Sequence, residues 1–201
     1  MRIIFLFFTA VFLLFKTLPF AHAGTAIDGN EYVAKINAKL REISSARFEF
    51  QQTGAGKTEK GVIFYKKNYG LFMKYHTMPV TVLVNDGVTT YYDSKLEQKS
   101  QMPTQKSAAK IFTAPLEIGG DLFEIEKIEE LPEAILIRAT IKNLKNEGIF
   151  SMYFSKTDFV LRRIDIESPE THEKSRVDLH SYSFVKISNE RFKTINIDKS
   201  F

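Results

Sequence analysis

Cysteine is absent from all 201 residues. That excludes disulfides, thiolate catalysis, thiolate metal sites and a lipid anchor carried on cysteine. Tryptophan is also absent, and histidine occurs only at His22, His76, His172 and His180. These four fall into no HxH or HExxH arrangement, so no metal site is expected. No GxSxG, GxGxxG or GxxxxGK[ST] segment is present, so acyl transfer, dinucleotide binding and phosphoryl transfer lack their usual sequence marks. Adjacent carboxylates such as Glu129 and Glu130 occur, but acidic pairs are common on surfaces. No cofactor is expected, and the residues read as a binding protein rather than an enzyme.

What the chain does have begins at its start. Arg2 precedes an apolar run from Ile3 to Phe15 broken only by Thr9, and Ala21-His22-Ala23 offers small residues at a cleavage position. The run falls short of the ~20 residues a bilayer span needs, and Lys16 ends it. The pattern is that of a secretory signal peptide over residues 1–23, leaving one domain of 178 residues from Gly24 to Phe201. Removing Arg2 and Lys16 leaves 26 basic residues against 24 acidic, so the net charge falls to +2. No clustered basic stretch suggests nucleic-acid binding. Twelve of the 18 phenylalanines remain after the leader. Stability must come from burial.

Asp28 to Ser44 reads as an amphipathic helix. Asp28 and Glu31 form a capping box, and Val33, Ile36, Leu40 and Ile43 share one face. From Ala46 the period changes to two. Strands are predicted at Ala46–Gln51, Gly61–Lys66, Leu71–His76, Val80–Asn85, Val88–Tyr92, Leu122–Ile128, Ala134–Lys142, Gly148–Ser155, Phe159–Glu167, Arg176–Val185 and Phe192–Ile197. Gly54–Lys60 is predicted as a hairpin loop, and Asn85-Asp86-Gly87 as a tight turn. A short helix capped by Thr104 is predicted over Thr104–Phe112, stopped by Pro115. The expected architecture is mainly β with α: a large curled antiparallel sheet of about eleven strands. An N-terminal helix and a short inserted helix cover its apolar interior. A sheet of that size must curl, close or fold over.

Four ordered segments carry a resemblance to a known family. They are Leu40-Arg41-Glu42-Ile43-Ser44-Ser45-Ala46 leading into Phe48-Glu49-Phe50-Gln51-Gln52; Gly61-Val62-Ile63-Phe64-Tyr65-Lys66-Lys67; Met73-Lys74-Tyr75; and Val84-Asn85-Asp86-Gly87 followed by Tyr91-Tyr92-Asp93 and Leu96-Glu97-Gln98. Together they resemble the LolA family of periplasmic lipoprotein carriers, most clearly from Tyr32 to Gln98. The resemblance implies an unclosed half-barrel that holds lipoprotein acyl chains in the periplasm. It also implies an inner-membrane ABC transporter as donor and a LolB-like outer-membrane acceptor, with the carrier acting as a monomer. The lipid-anchored receptor of related fold carries a cysteine that this chain lacks, which favours the soluble carrier. A glycolipid-binding or lipid-sensing module with the same fold is the alternative.

Alternation along the strands names Phe48, Phe50, Phe64, Met73, Tyr75, Val82 and Val84 as walls of a lipid-binding cavity, although core packing presents the same pattern. Ile111 and Phe112 are expected at the lid. Where the family has an Arg-Pro after its second strand, with the Arg bonding to the lid helices, this chain has Lys67-Asn68. Lys67 is the nearest counterpart, and a lysine lacks the planar fork of arginine. The family also places Pro after its last aromatic strand, where this chain has Asn196 after Phe192-Lys193-Thr194-Ile195.

Overall fold

The computed structural model describes residues 29–106, 109–110, 117–144, 148–193 and 195. The predicted signal peptide lies outside these residues. Helix α1 spans Gly29–Glu42. Eleven strands follow: β1 Ser45–Gly54, β2 Lys57–Lys66, β3 Gly70–Tyr75, β4 Val80–Asn85, β5 Val88–Asp93, β6 Gln98–Pro103, β7 Phe123–Glu130, β8 Ala134–Ile141, β9 Ile149–Ser155, β10 Leu161–Glu167 and β11 Lys174–Ser183.

All eleven belong to one antiparallel sheet in the order β6-β5-β4-β3-β2-β1-β11-β10-β9-β8-β7. Two runs of consecutive hairpins, β1–β6 and β7–β11, are joined where β1 pairs with β11, with Arg47 opposite Ser183 and Phe50 opposite Leu179. The outermost strands β6 and β7 do not pair, so the sheet is an unclosed half-barrel. They are nevertheless consecutive in the chain, so the connection 104–122 must bridge the two edges.

The hairpin turns follow from local chemistry. Ala55-Gly56 and Asp86-Gly87 both take positive φ at both positions, the two-residue turn whose twist matches the flanking strands. The predicted loop Gly54–Lys60 therefore shrinks to two residues, and its polar remainder is strand. Two other predictions are corrected. Gln98–Pro103 was not expected as a strand, because an edge strand with mostly exposed side chains has no apolar alternation to read. Phe192–Ile197 was expected as a strand. Instead Asn189–Phe192 is a single 3₁₀ turn capped by Ser188, whose side chain accepts from the Glu190 amide, and Phe192 is fully buried. Of the predicted helix over Thr104–Phe112, Thr104–Lys106 forms a 3₁₀ turn. Ile111 and Phe112 lie outside the described residues.

Three apolar clusters organise the packing. On the inner face of β7–β10, Ile135, Ile137, Phe150, Met152, Phe154 and Ile164 form the main core. Helix α1 covers it with Ile36, fully buried, and with Val33, Leu40 and Tyr32. Three of the four predicted stripe residues, Val33, Ile36 and Leu40, thus face the core, whereas Ile43 lies beyond the end of α1 at Glu42. A second cluster lies on the inner face of β1–β5 and β11. A third lies on the outer face, where Phe64, Phe72 and Leu83 are covered by Ile187 and Phe192 of the segment after β11.

Candidate functional site

The second cluster is built by register. Cross-strand partners share a face, and the row Phe48, Ile63, Met73, Val82, Tyr91 runs across β1 to β5. A neighbouring row places Phe50 opposite Gly61 and Gly61 opposite Tyr75. The rings of Phe50 and Tyr75 meet edge to face, 5.1 Å apart, across the space a side chain at 61 would occupy. Six of the seven predicted wall residues, Phe48, Phe50, Met73, Tyr75, Val82 and Val84, therefore gather on one face. Phe50, Val82 and Val84 are buried beneath it, whereas Phe48, Met73 and Tyr75 are half-buried at its surface.

Phe64 is placed elsewhere. It stands opposite Phe72 on the outer face, its ring centroid 6.2 Å from that of Phe72 and 4.1 Å from the guanidinium of Arg191. Strand β2 is apolar on both faces because the C-terminal segment covers its back, so alternation alone could not assign Ile63 and Phe64 to opposite sides.

The inner face carries few polar groups, and two of its tyrosine hydroxyls are engaged by the protein. The Tyr75 hydroxyl donates to Gln52 Oε1 at 2.7 Å, and burial pushes the Tyr75 phenol up to about 12. The Tyr182 hydroxyl donates to the Leu161 carbonyl, and burial raises its pKa as well. Phe48 stacks on Tyr182 at 5.2 Å. Two of the half-buried tyrosines thus present ring faces with their hydroxyls tied back to the protein. Such a surface offers dispersion contact without charge, which suits hydrocarbon.

The connection 104–122 is pinned near both ends. The Thr104 amide donates to the Gly87 carbonyl at 2.8 Å, and its hydroxyl lies 3.0 Å from that of Thr89, both residues fully buried. At the other end Asn37 on α1 grips Ile118 twice: Asn37 Nδ2 donates to the Ile118 carbonyl at 2.9 Å, and the Ile118 amide donates to Asn37 Oδ1 at 2.8 Å. Between the pins, Ala109 packs on the second cluster. The residue-level reading missed Asn37. Its signal was a polar side chain four residues after Val33, inside the apolar stripe. The start of α1 is held separately, where Tyr32 donates to Glu130. Lys156 first, and then Tyr32, hold the Glu130 carboxyl below its usual range.

Lys67 meets the other end of the helix. Its amide donates to the Ser44 carbonyl at 2.9 Å, and its ammonium lies 3.4 Å from the Arg41 carbonyl. A cation is favourable at a helix C-terminus.

A groove of about 280 Å³ lies on the outer face of β7–β10, bordered by Lys127, Glu129, Arg138, Tyr153, Asp165 and Lys174. Its charges are largely paired with close neighbours: Lys127 with Glu129 at 2.6 Å, Arg138 with Glu126 at 3.0 Å, and Asp165 with Arg163 and Arg176. It reads as a solvated sheet face rather than a site. Among the described residues no group of three or more His, Asp or Glu could hold a metal ion, and no helix is long and apolar enough to cross a membrane.

No family model matches the chain, and no curated protein matches it. Solved structures do. A LolA superfamily protein from Nitrosomonas europaea aligns over 84% of this chain and 99% of its own, with a TM-score of 0.50 at 10% identity. An uncharacterized conserved protein from Thermus thermophilus aligns over 86% and 96%, with a TM-score of 0.56 at 10% identity. The MucA/MucB complex of Pseudomonas aeruginosa aligns over 85% of this chain and 62% of that one, with a TM-score of 0.50 at 10% identity. At this identity the likeness is one of fold, and the chain has the LolA-like fold.

Proposed function

We propose that this chain is a binding protein that holds acyl chains on the inner face of β1–β5 and β11, and that it carries acylated lipoproteins through the periplasm rather than catalysing a reaction. One observation supports the reading above the others. Helix α1 covers the inner face of β7–β10, while the inner face of the other half presents the half-buried side chains of Phe48, Met73, Tyr75 and Tyr91. A purely structural core would bury these side chains fully. An acyl chain laid on them gains roughly 0.8 kcal/mol per methylene buried. A few methylenes therefore give a useful but reversible hold, which a carrier must have. In this reading the donor is an inner-membrane ABC transporter, the acceptor is a LolB-like outer-membrane protein, and the carrier works as a monomer without cofactor.

The test uses Met73→Asp, which places a carboxylate among hydrocarbon at a half-buried position. Wild type should take up a fluorescent fatty-acyl probe, and the folded variant should lose at least tenfold in affinity. A wild-type protein that is folded, stripped of lipid and indifferent to the probe would refute the proposal. Mass spectrometry of material co-purified with wild type separates cargo classes, because the same face would accept the acyl chains of a glycolipid. Acylated peptide supports the carrier. Free glycolipid supports a lipid-sensing module.

A further inference from the structure

We infer that one end of the half-barrel docks on an anionic phospholipid surface, through a basic and aromatic patch that borders the acyl-binding face, the Phe184 ring lying 6.2 Å from that of Tyr182. The patch is assembled from three stretches distant in sequence: the last turn of α1, the β2–β3 turn at Lys67-Asn68-Tyr69, and the segment after β11. Their contacts join them. Lys67 reaches the Ser44 and Arg41 carbonyls. Ser45 Oγ donates to the Val185 carbonyl at 2.5 Å, and Lys66 Nζ donates to the Ile187 carbonyl at 2.8 Å. Asn189 donates to the Tyr69 hydroxyl at 2.6 Å.

Charge and exposure coincide there. Lys67, Lys186 and Arg191 stand there beside three ion pairs, Lys39–Glu42, Arg41–Glu117 and Lys193–Glu190, which leaves the patch positive in a chain that is otherwise close to neutral. Among the described residues five large hydrophobics are exposed, and three of them belong to this patch: Tyr69 at 43%, Val185 at 45% and Phe184 at 51%. The ammonium of Lys39 lies 5.7 Å from the Phe184 ring, and that of Lys66 lies 4.9 Å from the Tyr69 ring.

The mixture selects the partner. Interfaces between proteins are depleted in lysine at their centres. Here lysines stand beside exposed apolar tips. A bilayer surface accommodates both at once: aromatic rings settle at the headgroup level, and long basic side chains lay their stems on apolar surface while their heads reach phosphate. Phe48, Met73 and Tyr91 are not part of the patch, so docking does not depend on the acyl-chain reading.

The test is vesicle co-flotation of the full chain after export, with pure phosphatidylcholine vesicles and with vesicles doped with phosphatidylglycerol. Wild type should float with the doped vesicles only, and high salt should release it. A basic residue near an anionic surface contributes about 1 kcal/mol, or about fivefold, so Lys186→Glu with Lys193→Glu should weaken binding at least 25-fold. Phe184→Ser should weaken it too, with unchanged circular dichroism. Met73→Asp should still dock, which separates failure of this proposal from failure of the acyl-chain reading. Equal flotation on both vesicle types, or unaltered binding of the charge-reversed protein, overturns the inference. So does a photo-cross-linker at position 184 that yields a protein adduct while vesicles are ignored.

Discussion

Gly61→Ala should destabilise the protein although it adds only a methyl group. Gly61 sits between Phe50 and Tyr75 in the register. A Cβ there would lie 2.5 Å from Phe50 Cε1, 2.6 Å from Phe50 Cζ and 2.3 Å from the Lys74 carbonyl oxygen. The ring can rotate away. The carbonyl cannot retreat without parting β2 from β3. Overpacking of this kind costs about 1–3 kcal/mol, and a backbone obstacle puts this case at the upper end. Against it, replacing glycine stabilises by roughly 0.4–1 kcal/mol through the unfolded chain. The clash wins, by about 2 kcal/mol. Urea unfolding would show this as a midpoint lowered by about 1 M, given a slope of about 2 kcal/mol per molar for a domain of this size. Adding Phe50→Leu removes the ring but not the carbonyl, so the pair should couple by about 0.5 kcal/mol or more while remaining below wild type. A wild-type midpoint for Gly61→Ala would refute the packing argument. Strict additivity in the double variant would refute the part assigned to the ring.

Two further outcomes follow from single groups. Asn37→Leu leaves the amide and carbonyl of Ile118 without partners, at about 1–3 kcal/mol each; hydrogen exchange at the Ile118 amide should accelerate far more than exchange in β8 or β9, and uniform acceleration would contradict a local clamp. Tyr75 has a folded pKa raised from 10.0 to about 12, so its contribution is fully present below pH 10 and is lost as pH rises through 12. At 1.36 kcal/mol per unit the ceiling is about 2.7 kcal/mol. Alkaline unfolding of wild type should therefore exceed that of Tyr75→Phe over this window, and identical curves would show that the phenol ionises freely.

The legible parts of this fold are those where one local rule dominates. The stripe Val33, Ile36 and Leu40 faces the core because period and burial coincide, and Asp86-Gly87 turns because few residues tolerate two consecutive positive φ values. Strand count came out at eleven through two compensating differences. Gln98–Pro103 is held at an edge by its backbone ladder to β5, which leaves no imprint on side-chain choice. Phe192 looked like strand because it is aromatic, yet it is buried by docking on the outer face. Six of the seven proposed wall residues share a face because register transmits the alternation of β1 across the sheet. Phe64 departs because β2 is covered from behind by Ile187 and Phe192, which are more than 100 residues away in the chain. Lys67 reaches the last turn of α1 at the Arg41 carbonyl and the link after it at the Ser44 carbonyl.

The seam between β1 and β11 sets a timetable. Arg47 opposite Ser183 is among the most sequence-distant pairings in the sheet, and it lies at the middle of the sheet rather than at an edge. Strands β2 to β6 can zip onto β1 as local hairpins as soon as they are made. The free side of β1 must then stay unpaired until β11 has been made. Contacts of such separation make folding slow and leave an open strand edge exposed to other chains in the meantime. A newly made molecule is therefore most vulnerable to pairing with its own kind just before β11 arrives. The segment after β11, which binds the back of β2 to β4 through Ile187 and Phe192, then fastens the last part to arrive onto the first half of the sheet.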